Sequence, residues 1–140
     1  MGLNVTLLRT SFDLILEREP NLTSRFYDNL FSRYPQAKPM FHRSPRATQE
    51  KMLAGALVSV LDHLEDAPWL VETLGAMGIK HVEYGVTPEM YPWVGDALVA
   101  TLAEVAGADW SEELAREWGA AYGAITSLML AGARTAEAAE

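Results

Sequence analysis

The sequence predicts an all-α protein. Apolar residues recur at intervals of three and four in one segment after another, no segment alternates convincingly with period two, and prolines or helix-capping residues separate the segments. Val5, Leu8, Phe12, Ile15 and Leu16 share one face of a first helix that ends near Glu19-Pro20. Leu22, Phe26, Leu30 and Phe31 repeat the spacing until Tyr34-Pro35, where proline disfavours helical geometry in the residue before it. Pro35, Pro39, Ser44 and Pro45 mark a corner with at most short helices, and Phe41 is the large aromatic side chain in its middle. From about Arg46 a long helix carries Met52, Leu53, Ala56, Leu57, Val60, Leu61 and Leu64 as far as the Asp66-Ala67-Pro68 break, where Asp66 can cap the next helix. That helix runs through Trp69, Leu74 and Met77 to His81, with Gly85 close behind. Thr87-Pro88-Glu89 combines a cap residue, a first-turn proline and an acid at the positive helix end, and predicts a helix running to Gly107. Asp109-Trp110-Ser111-Glu112-Glu113 opens the last helix, which passes Trp118, Tyr122, Ile125, Leu128 and Met129 before an Ala-rich tail, about 131–140, expected to fray.

Composition narrows the chemistry. A chain of 140 residues without internal repeats or a low-complexity linker is expected to form a single domain over residues 1–140. With 49% hydrophobic and 21% charged residues it has the composition of a folding globular chain rather than a disordered one. Cysteine is absent, which excludes disulfides, thiolate metal sites and thiol catalysis. A formal net charge of −8 argues against nucleic acid or an anionic membrane as partner, since both need clustered cations. The N-terminus lacks a signal-peptide pattern and no apolar run approaches the ~20 residues that span a bilayer, so a soluble cytoplasmic protein is expected. The stretch after Met1-Gly2 matches the loose N-myristoylation pattern, a match short enough to be read as chance.

Three histidines compete as metal ligands. His42 lies in the polar, proline-rich corner, where a solvated role is expected. His63 follows Gln49 by fourteen residues on one helix, ~20 Å along its axis and too far to share a small pocket with it. His81 has an apolar helix face before it, with Met77 and Leu74 four and seven residues upstream, on which a flat hydrophobic cofactor fits. Taken on that helix alone, His81 reads either as an axial ligand or as a core histidine bonded to a backbone carbonyl.

The order of Phe26-Tyr27, Pro35, Phe41, Gln49 with Leu53, and His81-Val82-Glu83-Tyr84-Gly85-Val86 resembles the globin family, specifically bacterial globins of the flavohaemoglobin lineage. The run Pro88-Glu89-Met90-Tyr91-Pro92-Trp93-Val94-Gly95-Asp96-Ala97-Leu98 and the segment Trp118-Gly119-Ala120-Ala121-Tyr122-Gly123 look like the same lineage, so the resemblance covers essentially the whole chain. It implies a globin fold around haem b, with His81 as proximal ligand of the iron and the opposite face open to O₂, NO or CO. It further implies that Phe41 wedges against the porphyrin edge, that Leu53 and Met77 shape apolar walls, and that Lys80 sits near a haem propionate. Tyr27 and Gln49 resemble the distal pair, whose O–H and N–H donate to a ligand carrying negative charge.

Two features depart from the lineage. Flavohaemoglobins carry a flavin-binding reductase part that this sequence does not show, so a separate electron-donor reductase is expected. The lineage also links its proximal histidine to a tyrosine and a glutamate. Tyr91 matches the tyrosine, whereas the glutamate position falls on Ala133; Glu137, one turn on, lies ~6 Å further along the helix. The functions that the resemblance implies are NO oxidation by bound O₂ with an external reductase, O₂ carriage or storage without turnover, and gas or redox sensing.

Overall fold

In the computed structural model, which describes residues 3–41 and 44–139 with the side chains of 137–139 left aside, every regular element is helical. The elements are α1 (Val5–Arg18), α2 (Leu22–Arg33), a 3₁₀ turn (Pro35–Phe41), α3 (Arg46–Asp62), α4 (Ala67–Glu83), a second 3₁₀ turn (Pro88–Met90), α5 (Tyr91–Ala106), a third (Gly107–Asp109) and α6 (Glu112–Ala139). The Met1-Gly2 pattern and His42 lie outside the described residues. Among those described, no helix is long and apolar enough to cross a membrane.

Local sequence accounts for most helix ends. The Asn4 side chain accepts from the Leu7 N–H at 3.1 Å, Asp66 from Trp69 at 3.2 Å and the Ser111 hydroxyl from Leu114 at 3.1 Å, each satisfying an amide that has no intrahelical partner. The helix expected to open at Thr87-Pro88-Glu89 begins later. Pro88–Met90 forms a separate 3₁₀ turn, closed by the Met90 N–H to the Thr87 carbonyl at 3.0 Å, and α5 starts at Tyr91. Pro92 sits in the first turn of α5, where its missing N–H costs nothing, so two prolines four residues apart each offered a start. The Ala-rich end is helical to Ala139.

Two apolar clusters hold the helices. In the larger, Leu8, Phe12 and Ile15 of α1 meet Phe26 and Leu30 of α2, Ala97 and Leu102 of α5, and Trp118 of α6. The Trp118 indole N–H donates to the Ser11 hydroxyl at 3.0 Å, so a polar pair buried in this core leaves no donor unmatched. In the smaller, Val60 of α3, Leu74 of α4, Tyr91 of α5 and Met129 of α6 converge. Here α4 lies against α6 more closely than any side chain permits: a Cβ at Gly78 would stand 2.6 Å from the Met129 carbonyl carbon, and one at Gly132 would stand 2.5 Å from the Gly75 carbonyl oxygen.

Burial is uneven between helices. Seven residues of α5 are buried, against only Val60 and Leu61 in α3 and Leu74 and Gly78 in α4. Leu53, Leu57 and Leu64 of α3 and Leu70 and Met77 of α4 stay half-buried. Because α3 packs on α2 and α1 while α4 packs chiefly on α6, these two sparsely buried helices are held by different partners.

Candidate functional site

His81 stands in the last turn of α4, half-buried, with its ring centroid 6.2 Å from that of Tyr91. Its Nδ1 lies 2.7 Å from the Met77 carbonyl oxygen. A carbonyl can only accept, so Nδ1 carries a proton, and in the neutral tautomer with that proton Nε2 holds the lone pair. The structure thus shows the backbone bond of the core-histidine reading, and a bond of that kind is also one that orients a ligating imidazole. His63 makes a similar Nδ1 contact, 2.7 Å from the Ser59 carbonyl, but it caps α3 and stacks on Trp69 with ring centroids 3.9 Å apart.

Tyr91 is buried, and its burial raises the phenol above the ordinary tyrosine range. The Tyr122 hydroxyl donates to the Tyr91 carbonyl at 2.6 Å, fixing the start of α5 against α6. No sequence signal singled out this Tyr122 bond. Ala133 on α6 is buried, so the side chain at that position is a methyl group. Met77 packs in the smaller cluster, whereas Lys80 is exposed and paired with Glu83 at 3.8 Å.

The second group forms where α2, the proline corner and the start of α3 meet. Tyr27 is buried among aromatic rings, with centroids 5.0 Å from Phe26, 5.8 Å from Phe31 and 5.3 Å from Phe41. Burial above all, and then the negative charge of Glu50, push its phenol up to about 12 against the opposing Arg46, so Tyr27 keeps its proton at physiological pH. Phe41 ends the first 3₁₀ turn half-buried and also meets Phe31 at 5.6 Å, which explains a large aromatic in that corner. Leu53 packs half-buried on the main core.

Gln49 belongs to this group by position, but its amide is engaged. Its Nε2 donates to the Phe41 carbonyl at 2.8 Å and to the Ser44 carbonyl at 3.3 Å, tying α3 to the corner. Arg46, which sequence reasoning did not single out, reinforces the junction. Its guanidinium donates to the Ser24 carbonyl and to Asp28, each at 2.7 Å, and to Glu50 at 2.8 Å.

Fold and site thus define a class: a helical protein whose fourth helix ends in a half-buried imidazole with Nδ1 bonded to the backbone. The chain matches the Globin family over residues 24–129, and it belongs to that family. It is 29% identical over 128 residues to a flavohemoprotein of Bacillus thuringiensis subsp. konkukian, an alignment spanning 90% of this chain and 31% of that protein. The chain therefore covers about a third of the length of the curated relatives it matches. Among solved structures it is similar to an engineered carbene transferase from a candidate nitric oxide dioxygenase of Rhodothermus marinus, with a TM-score of 0.82, 25% identity, and coverage of 96% of this chain and 94% of that one. It is also similar to a flavohemoglobin from Malassezia yamatoensis with bound FAD and heme, with a TM-score of 0.77, 25% identity, and coverage of 99% and 38%.

Haem is the cofactor of this family, and the donor set fits it. The His81 imidazole has Nδ1 already bonded to the backbone, the chain has no thiolate, and among the described residues there is no cluster of acids and histidines suited to a bare metal ion.

Proposed function

We propose that this globin binds O₂ and uses it to oxidise NO to nitrate, NO + O₂ + e⁻ → NO₃⁻, the electron coming from a separate reductase. The observation that carries this reading is His81, with Nδ1 committed to the Met77 carbonyl and Nε2 left for iron. Haem held there supplies reversible binding of O₂, NO or CO and one-electron redox chemistry. The remaining work falls to the chain. Tyr27, a protonated phenol among apolar rings, is the principal donor to a polarised diatomic ligand, in a dry setting where such a bond gains strength. Gln49 becomes a second donor by turning one amide hydrogen away from the Phe41 or Ser44 carbonyl. Phe41, Leu53 and Met77 supply apolar walls, and Lys80, released from Glu83, pairs with a propionate. O₂ storage without turnover is favoured by one observation: the methyl group of buried Ala133 adds no carboxylate to the backbone carbonyl that already holds His81.

The test is the visible spectrum of the protein purified with haem available, in ferric, reduced and air-exposed reduced forms. A five-coordinate reduced spectrum converting to a long-lived oxygenated one is expected. Adding NO should then give stoichiometric nitrate; release of O₂ without nitrate leaves the storage reading instead. His81→Ala should lose haem or regain it with added imidazole, whereas His63→Ala should leave the spectrum alone. Normal haem retention in His81→Ala would end the assignment.

A further inference from the structure

Among the described glycines, the one held most tightly against a neighbouring helix lies three residues before His81. The peptide that joins Met77 to Gly78 carries the carbonyl that accepts the His81 Nδ1–H at 2.7 Å. On its other side this peptide ends in the Gly78 Cα, which is buried and so close to α6 that an added Cβ would meet the Met129 carbonyl carbon at 2.6 Å and its Cα at 2.9 Å. Those are backbone atoms of a packed helix, so they cannot swing aside as the end of a side chain would. From this we infer that Gly78 is a positioning residue for His81: the α6 backbone at Met129 fixes the Met77–Gly78 peptide, and that peptide fixes the imidazole.

The inference rests on His81 being the axial ligand, and it goes beyond that reading by naming what sets the ligand's orientation. An ordinary loosening of the helix pair makes a different forecast from a displaced peptide, and neighbouring glycines separate the two. A Cβ at Gly75 would have 3.6 Å to the Gly132 Cα, an ordinary contact. One at Gly132 would force α4 and α6 apart at Gly75, one turn from the peptide that serves His81. On helix propensity alone alanine improves every one of these positions.

Three variants, G75A, G132A and G78A, are compared by the iron–histidine stretching band of the reduced haem protein, by haem transfer to an apoglobin acceptor and, in the haem-free protein, by the imidazole ¹⁵N signals of His81. The expected order is G75A unchanged, G132A moderately affected, and G78A most affected. In G78A the band is displaced, haem loss is about tenfold faster or more, and the Nδ1–H signal shifts as its bond to the Met77 carbonyl is disturbed. A G78A protein that folds with the band and the ¹⁵N signal of the parent overturns the inference, even if its melting temperature falls. Should G78A fail to fold, G132A decides: a band and a haem-loss rate equal to those of G75A overturn the inference. Absence of an iron–histidine band in the parent would instead remove His81 as ligand, an outcome distinct from a band that is present and unmoved.

Discussion

Tyr27 is where the sequence chemistry and the structure meet most directly, because burial of a phenol has two separable consequences. The first is donation. A protonated phenol among Phe26, Phe31 and Phe41 is the donor proposed for bound O₂, so Tyr27→Phe should speed O₂ dissociation roughly tenfold, the loss of a bond contributing about 1.4 kcal/mol. Stopped-flow displacement of O₂ checks this, and an unchanged rate removes Tyr27 from the site. The second is alkaline stability. Tyr27 and Tyr122 both have phenols raised to about 12 by burial, from an ordinary value of 10.0. The unfolded chain therefore releases these protons from about pH 10 while the native protein holds them, and the stability they contribute is complete below pH 10 and lost as the pH rises towards 12. Denaturant unfolding between pH 9 and 11.5 should show a fall approaching about 1.4 kcal/mol per pH unit for each phenol, and Tyr27→Phe should remove one proton from that slope. Tyr122 cannot be read from the sequence as part of the site, since its bond to the Tyr91 carbonyl depends on how α5 and α6 cross.

At the scale of the helices, cap chemistry makes a graded forecast. Asp66 caps α4 through the Trp69 amide, so Asp66→Ala should cost about 1 kcal/mol; Thr87 caps no backbone amide of its turn and bonds the exposed Glu89 carboxylate instead, so Thr87→Ala should cost about 0.5 kcal/mol or less. Chemical denaturation measures both, and equal losses would show that the cap is not what separates them. The same contrast shows how far local signals reach. Asp66 was legible because a capping residue before Pro68 admits one reading, as was the end of α1 before Pro20. The start of α5 was not, because Pro88 and Pro92 satisfy the same first-turn rule and tertiary packing of Tyr91 chooses between them. His81, Tyr27, Phe41 and Gln49 were singled out through their order along the chain, and the proposed site rests on that order. Their hydrogen bonds were not legible: the hold of Phe41 and Ser44 on Gln49, and of Met77 on His81, are set by a backbone path that residue types do not specify. The Gly78–Met129 crossing left only a trace in sequence, two glycines three apart facing a third on a distant helix.

Over the whole molecule, the uneven burial assigns different jobs to the two cores. The larger cluster joins α1, α2, α5 and α6 with fully buried Leu8, Ile15, Leu30 and Leu102, and it needs nothing from the cofactor side. The α3 and α4 helices instead leave Leu53, Leu57, Leu70 and Met77 half-buried and hold few fully buried residues of their own. On the proposed reading haem binds between them and covers those faces, and a ligand that binds only the folded state stabilises it by an amount set by its affinity. Removing it should therefore not lower stability evenly. In the haem-free protein the amides of α3 and α4 should exchange with solvent much faster than those of α5 and α2, because local opening there sacrifices little buried surface. Adding haem should slow exchange most strongly in α4, where the iron bond at His81 joins a helix already clamped to α6 at Gly78, and next in α3. Hydrogen exchange read by mass spectrometry at peptide resolution tests this. Uniform protection across all six helices on haem binding would mean that the molecule opens as one unit, and that the lightly buried faces of α3 and α4 are not where the cofactor acts.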